Sequence, residues 1–153
     1  MVAEDLRKRW IQLSREPIDI TEAYQFLQTP VAGGLALFIG STRQWTAGQE
    51  TLSLTYEGYE PMALKEMHRL LDIAVNRWPI HRACLLHRLG EVPLAEASVL
   101  VGVATSHRPE AFEACRYLID RLKVQVPIWK QEHLADGQKI WVQGTESPEP
   151  PNS

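Results

Sequence analysis

The chain has 153 residues, of which 44% are hydrophobic and 23% are charged, the balance of an ordinary globular protein. This length predicts one domain with a sizeable core. The formal net charge of −3 gives no global reason to expect nucleic-acid binding, so any basic site must be local. No apolar run approaches the roughly 18 residues of a membrane span, and the N-terminal residues lack the apolar core of a signal peptide. We therefore expect a cytoplasmic protein.

Hydrophobic periodicity and the positions of proline and glycine predict alternating strands and helices. In chain order the predicted elements are a strand at Arg9–Leu13, a helix capped by Asp19, strands at Leu35–Ile39 and Thr51–Tyr59, a helix from Pro61 to Trp78, strands at Ala83–Leu86 and Ser98–Ala104, a helix from Pro109 to Lys123, and a strand at Lys139–Gln143. The polar segment 44–49 predicts a mobile connection. This order, β-α-β-β-α-β-β-α-β, indicates an α/β or α+β domain with one mixed sheet.

The stretch from Thr105 to Glu132 carries most of the chemistry. Its predicted helix has one apolar stripe at helical spacing, formed by Ala111, Phe112, Cys115, Leu118, Ile119 and Leu122. His107 and Arg108 precede the helix. Lys123 follows the stripe, and Lys130 lies on a loop that begins at Pro127.

The two ends of this helix are too far apart to share a ligand. A helix from Pro109 to Lys123 is roughly 20 Å long at 1.5 Å per residue. Either the two ends have separate roles, or a symmetric dimer brings His107 and Arg108 of one copy to the lysines of the other. We favour the dimer.

A second candidate site is the glycine-rich stretch from Gly33 to Arg43. Glycines after a strand could cradle a phosphate, with Ser41, Thr42 and Arg43 as donors. The spacing matches neither common nucleotide fingerprint. Gly40 could equally serve a tight exit from the strand, and the residues alone leave both interpretations open.

The sequence gives little support for a metal centre, a serine nucleophile or a cysteine nucleophile. The five histidines form no HExxH and the two cysteines no CxxC, so we expect no metal centre. No GxSxG elbow is present. Cys84 and Cys115 fall in apolar patterns and are expected to be buried free thiols, a setting that raises the pKa of a thiol.

What remains is a local surplus of cationic donors, namely Arg43, His107, Arg108, Lys123 and Lys130. Arginine fits phosphate or carboxylate with two parallel hydrogen bonds, and lysines crowded beside other cations have a lowered pKa that favours nucleophilic chemistry. For Lys123 the alternative is a purely structural role, since a cation stabilises the C-terminus of a helix.

Four motifs in order along the chain resemble those of the catalytic (large) subunit of molybdopterin synthase. They are Gly34-x-x-x-Phe38-x-Gly40-x-x-Arg43, Tyr56-Glu57-x-Tyr59-x-x-Met62-Ala63, His87-Arg88-x-Gly90-Glu91, and the pattern SHRxxAFxA…DxLK…PIWKxE within residues 106–132. The resemblance extends from the first strand to about Gln143, and agreement in order makes a chance match improbable.

This resemblance implies an α/β-hammerhead fold with an additional antiparallel β subdomain, in a single catalytic domain over residues 1–144. The Pro- and Ser-rich tail 145–153 is expected to be disordered. The resemblance also implies a homodimer at the core of a heterotetramer. Its partner is a small ubiquitin-like sulfur-carrier subunit with a thiocarboxylate on its C-terminal Gly-Gly. The implied reaction adds two sulfurs to cyclic pyranopterin monophosphate and so forms molybdopterin, with no resident cofactor.

The resemblance assigns roles to individual residues. Lys123 and Lys130 match the catalytic lysines, and the substrate-binding residues are expected to be Ser41, Thr42, Arg43, His107, Arg108, Lys123, Lys130, Gln131 and Glu132. Gly144, at the expected C-terminal edge of the pocket, stands where family members often have a basic residue.

Two functions of other classes stay open at this point. A non-catalytic module could use the same cationic groove to bind an anionic protein C-terminal tail. A single-stranded RNA binder is disfavoured by the negative net charge.

Overall fold

The computed structural model describes residues 8–142 and, within them, three helices and nine strands. The helices are α1 (Ile20–Leu27), α2 (Glu60–Arg77) and α3 (Arg108–Gln125). The strands are β1 (Arg9–Ser14), β2 (Gly34–Ser41), β3 (Trp45–Thr46), β4 (Gln49–Gly58), β5 (Ile80–Arg88), β6 (Gly90–Pro93), β7 (Ala97–Thr105), β8 (Ile128–Leu134) and β9 (Lys139–Val142). The expectations for Gly144 and the tail 145–153 lie outside the described residues. None of the helices within 8–142 is long and apolar enough to cross a membrane.

The first sheet has the strand order β1-β5-β7-β2, with β1 parallel to β5 and the other pairs antiparallel. Helices α2 and α3 cover one face, where Leu85, Val101 and Leu118 are part of the larger core. Helix α1 covers the other face with Leu27, against Leu86 and other buried residues. Every residue of β7 from Ser98 onward is buried, as the unbroken apolar run predicts for a strand covered on both faces.

The second sheet is antiparallel, in the order β3-β4-β8-β9, and β6 also pairs with β4. The α+β class and the antiparallel subdomain implied by the resemblance are confirmed, but the prediction of one mixed sheet is wrong. The sequence signal for β8 fails because its residues are half-buried and mostly polar. The four residues of β6 are too few to show a period.

The segment predicted to be a mobile connection forms a short hairpin. Trp45 pairs with Glu50, and Ala47 and Gly48 turn the chain with φ angles of 49° and 81°. Positive φ at both central residues is typical of the tight turns that join antiparallel strands. The predicted cap of α1 is confirmed, since the Asp19 side chain accepts a hydrogen bond from the backbone N–H of Glu22 at 3.0 Å.

Helix α3 begins at Arg108 and ends at Gln125, two residues before Pro127. Its buried stripe differs from the prediction at one position, because Phe112 is 64% exposed. Phe112 lies at the edge of the stripe near the start of the helix, and Ala114 is buried instead. Lys123 lies in the last turn of α3, which extends two residues past the predicted end.

Candidate functional site

A pocket of about 70 Å³ lies where the end of α3 meets both sheets. It is lined by Tyr56, His87, Ser98, Val99, Leu122, Lys123, Val126, Ile128, Trp129, Lys130 and Val142. The position follows from the topology. β4, β8 and β9 form one wall, the ends of β5 and β7 form the floor, and the last turn of α3 closes the side.

Both predicted catalytic lysines line this pocket. Lys130 lies on β8, paired with Tyr56 of β4 and Val142 of β9, so the three side chains share one face of the second sheet. The prediction that Lys130 lies on a loop is therefore wrong. A strand fixes its direction more firmly than a loop does.

The pocket lowers the pKa of Lys130. Burial is the largest cause, and the charges of Lys123 and Arg43 lower this pKa further, while Glu132 acts in the opposite direction. A lysine held beside other cations in a partly dry pocket has a larger neutral fraction than an exposed one, and the neutral amine is its nucleophilic form.

Three polar residues at the floor of the pocket were not predicted as site residues. Burial raises the pKa of Tyr56, whose hydroxyl donates to the Ser98 hydroxyl at 3.3 Å. His87 is buried, and burial together with the charge of Lys123 lowers its pKa to about 4. Tyr56 and His87 belong to motifs that support the resemblance, which is the signal that could have identified them.

The structure separates the three predicted donors at the end of β2 and just after it. Arg43 is exposed, and its charge acts on Lys130. Ser41 is exposed at the end of β2 and does not line the pocket. Thr42 is buried, and its hydroxyl donates to the backbone carbonyl of Val92 at 3.5 Å. Of these three residues, Arg43 is therefore the one whose charge acts on a pocket lysine, Lys130.

Gln131 and Glu132 flank the pocket without lining it. Gln131 points to the face of the second sheet opposite Lys130, because successive side chains alternate along a strand. Glu132 shares the face of Lys130, and its carboxylate accepts a hydrogen bond from the Thr51 hydroxyl. Its position explains why its charge raises the pKa of Lys130.

His107 and Arg108 lie at the opposite end of α3 from Lys123. Fifteen residues of helix separate Arg108 from Lys123, roughly 22 Å at 1.5 Å per residue. Both residues are exposed. As the helix length predicted, one copy of the chain does not bring them to the lysine pocket.

A metal site needs several His, Cys, Asp or Glu side chains close together. Between Lys8 and Val142, no group of three or more His, Cys, Asp or Glu side chains is arranged to bind a metal ion. Cys84 and Cys115 are buried free thiols, as predicted, and burial raises their pKa to about 12 and about 11. A pKa this high makes either thiol a poor nucleophile at neutral pH.

Comparisons with known proteins identify the family of the chain. The family model described as "MoaE protein" matches residues 13–125. The molybdopterin synthase catalytic subunit of Bos taurus is 37% identical, with 94% of this chain and 76% of the relative covered. That of Pyrococcus abyssi is 39% identical, with 90% and 93% covered.

Solved structures show the same architecture. The crystal structure of molybdopterin synthase from Staphylococcus aureus superposes with a TM-score of 0.82 at 34% identity, covering 87% of this chain and 96% of that one. The molybdopterin biosynthesis MoaE protein from Burkholderia ambifaria superposes with a TM-score of 0.76 at 28% identity, covering 90% and 92%.

The two-sheet fold is thus that of the molybdopterin synthases. The chain belongs to the MoaE family, and its relatives are named molybdopterin synthase catalytic subunits. It is accordingly an enzyme of molybdenum cofactor biosynthesis.

Proposed function

We propose that this chain transfers sulfur from a protein thiocarboxylate to cyclic pyranopterin monophosphate, with Lys123 and Lys130 as its catalytic residues. The observation that carries the proposal is the pocket that Lys123 and Lys130 share, where burial, and after it the charges of Lys123 and Arg43, lower the pKa of Lys130. Preorganised cations in a site of this kind stabilise the negative charge that develops as an acyl group is transferred.

The two lysines have different settings and so different proposed roles. Lys123 is exposed at the mouth, where it meets an incoming thiocarboxylate and polarises its carbonyl or accepts the acyl group. Lys130 lies deeper, and its lowered pKa suits a group that exchanges a proton as sulfur attacks the pyranopterin side chain. Arg43 supplies a planar cation for the substrate phosphate.

We further propose that a second copy of the chain completes the site with His107 and Arg108. Two observations support this arrangement. His107 and Arg108 are both exposed, and they lie some 22 Å along the helix from Lys123. Phe112, at the same end of α3, is 64% exposed. The neighbouring strand β2 is an edge of the first sheet and exposes Phe38 by 37%. Apolar side chains beside an unpaired strand edge favour burial against a partner.

The sulfur donor in this proposal is the C-terminal Gly-Gly thiocarboxylate of a small ubiquitin-like subunit, and the resulting assembly is a heterotetramer around the homodimer. The relatives are named catalytic subunits, which supports the existence of a second kind of subunit. A narrow cationic pocket suits a slender anionic tail.

The test is a reconstituted assay with a thiocarboxylated partner and cyclic pyranopterin monophosphate. We expect Lys123→Ala and Lys130→Ala each to reduce turnover at least a hundredfold, the scale of removing one preorganised charged donor. Lys139→Ala, an exposed lysine on the adjacent strand β9, is the matched control and is expected to retain turnover. Turnover like that of the unaltered chain in both pocket variants would overturn the assignment.

The shared site has its own test. The chain alone is expected to sediment as a dimer, and mixing Lys123→Ala with Arg108→Ala chains is expected to restore part of the turnover, because hybrid dimers contain one intact composite site. A monomer in sedimentation, or no recovery on mixing despite subunit exchange, contradicts the second copy's contribution.

A further inference from the structure

His87 directs its imidazole into the lysine pocket. It lies at the end of β5, and the alternation of side chains places it on the face of the first sheet that also carries Leu85. That face is covered by α3, whose last turn carries Lys123. His87 is only 6% exposed, so its ring is part of the pocket floor.

The hydrogen bond of His87 fixes its tautomer. Its Nδ1 lies 2.8 Å from the backbone carbonyl oxygen of Arg88. A carbonyl only accepts, so Nδ1 carries the proton. Burial lowers the pKa of His87 to about 4, so the ring is neutral at physiological pH. Nε2 therefore has a free lone pair, and within residues 8–142 no group donates a hydrogen bond to it.

This lone pair is one of the uncharged acceptors among the polar side chains of the pocket, the others being the hydroxyl oxygens of Tyr56 and Ser98, which are already linked to each other by a hydrogen bond. The ammonium groups of Lys123 and Lys130 can only donate. The Tyr56 hydroxyl donates to Ser98, and the Ser98 hydroxyl donates to the backbone carbonyl of Gly40 at 3.3 Å. The floor thus offers an uncharged acceptor beneath two cations, which fits a ligand with a donor close to a negative charge.

The lining of the pocket suits the tail named in the proposed function. The pocket has a volume of about 70 Å³. Its side walls are apolar, with Leu122, Val126 and Val142. The proposed donor tail ends in a residue without a side chain, which needs little room beyond its own backbone. A terminal glycine carries an N–H donor one carbon away from its anionic group.

We infer that Nε2 of His87 accepts a hydrogen bond from the backbone N–H of the terminal glycine of the donor tail, while the lysines receive its anionic end. The inference rests on the proposed function, which it deepens by naming the residue that recognises the tail's last amide. His87 is then a specificity-determining residue that aligns the acyl carbon with Lys123.

The test is a cycle that removes each partner of this hydrogen bond. One probe is a short peptide ending in Gly-Gly with a free carboxylate, and the other is its twin with N-methylglycine as the last residue, which lacks the donor. We expect N-methylation to weaken binding to the unaltered chain roughly three- to tenfold, the scale of one hydrogen bond. We expect His87→Leu to weaken the Gly-Gly peptide to a similar extent and to show no further penalty with the N-methylated twin.

His87→Gln is the rescue variant, because its side-chain oxygen can accept near the position of Nε2. The His87→Gln variant is expected to bind the Gly-Gly peptide as tightly as the unaltered chain does, and to bind the N-methylated peptide more weakly. If N-methylation weakens binding to His87→Leu as much as to the unaltered chain, the hydrogen bond is refuted while the tail pocket stands. If neither peptide binds the unaltered chain, the tail pocket itself fails and the inference with it.

A spectroscopic measurement is independent of turnover and of variant folding. In ¹⁵N NMR spectra of histidine-labelled protein at pH 7, we expect His87 to show a protonated Nδ1 and an unprotonated Nε2. Adding the Gly-Gly peptide is expected to shift the Nε2 resonance, and adding its N-methylated twin is expected to leave it unchanged. A protonated Nε2 in the free protein overturns the inference.

Discussion

The ring of His87 meets the ring of Tyr56 edge to face, with centroids 4.9 Å apart and planes at 70°. His87 belongs to the first sheet and Tyr56 to the second, so this contact crosses the boundary between them. The Tyr56 hydroxyl continues the connection through Ser98 to the backbone of Gly40. The floor of the pocket is thus also a junction between the two sheets, and substitutions there test structure and function together.

Removing the Tyr56 hydroxyl is expected to have a small effect on stability. An O···O distance of 3.3 Å is long for a hydroxyl pair, so Tyr56→Phe should lower the free energy of unfolding by less than about 1 kcal/mol. Tyr56→Leu also loses the contact with the His87 ring and should cost roughly 0.5–1.5 kcal/mol more. Denaturant unfolding of both variants measures this, and equal losses would show that the ring contact contributes nothing.

The lowered pKa of His87 predicts that the folded chain loses stability in acid. Its folded-state pKa of about 4 lies below the ordinary 6.5, so between these values the unfolded chain binds a proton that the folded chain does not. The free energy of unfolding therefore falls as pH is lowered from about 6.5 towards 4, by up to about 3 kcal/mol for the full shift. His87→Gln lacks this titration. Unfolding measured at pH 7 and pH 4.5 should show a smaller drop for the variant, and parallel drops would contradict a buried neutral imidazole.

Much of the first sheet could be predicted from sequence because its residues obey simple periods. The run Ser98–Ala104 is apolar on both faces, and the stripe of α3 follows helical spacing apart from Phe112. Two strands of the second sheet were predicted, at Thr51–Tyr59 and Lys139–Gln143, but their pairing through β8 was not, because the middle of β8 is polar on both faces. Lys130 points into the pocket while Gln131 points away, and neither gives an apolar signal.

The cationic residues of the site could be predicted from the sequence. The residues whose role depends on whether they are buried could not. Lys123, Lys130 and Arg43 stand out as a surplus of cations. Thr42 has the same hydrogen-bonding groups as an anion-binding threonine, but it is buried and bonded to the chain's own backbone. His87 could be either a solvated or a buried histidine until pairing with β1 and β7 shows that its strand is central in the sheet.

Close packing at Gly102 predicts a cost for a single added methyl group. A Cβ at this position would lie 2.5 Å from Cδ1 of Leu27 and 2.9 Å from the sulfur of Cys84. Gly102→Ala should lower the free energy of unfolding by roughly 1–3 kcal/mol because the core must move to admit it. Adding Leu27→Ala opens space, so the double variant should lose less than the sum of the two single losses. Additive losses in denaturant unfolding would contradict the steric cause.

We expect the buried charge of Lys130, which the proposed function uses, to lower the stability of the folded chain. Its pKa is lowered from 10.5 mainly by burial, so between the folded value and 10.5 the unfolded chain binds the extra proton. The penalty of the charged form is therefore fully present below this window and disappears as pH rises through it. Lys130→Met keeps the apolar stem without the charge, and it should raise the melting temperature at pH 7 while abolishing turnover.

Lys139→Met is the matched substitution, because Lys139 lies exposed on the adjacent strand β9. It should give no comparable gain in melting temperature. For Lys130→Met the gain should shrink as pH approaches 10.5, because the lysine of the unaltered chain then loses its charge in both states. A gain that is independent of pH would mean that better apolar packing, rather than relief of a buried ammonium, is the cause. No gain at pH 7 would mean that the ammonium is well solvated, and its proposed role as a group of lowered pKa would then be wrong.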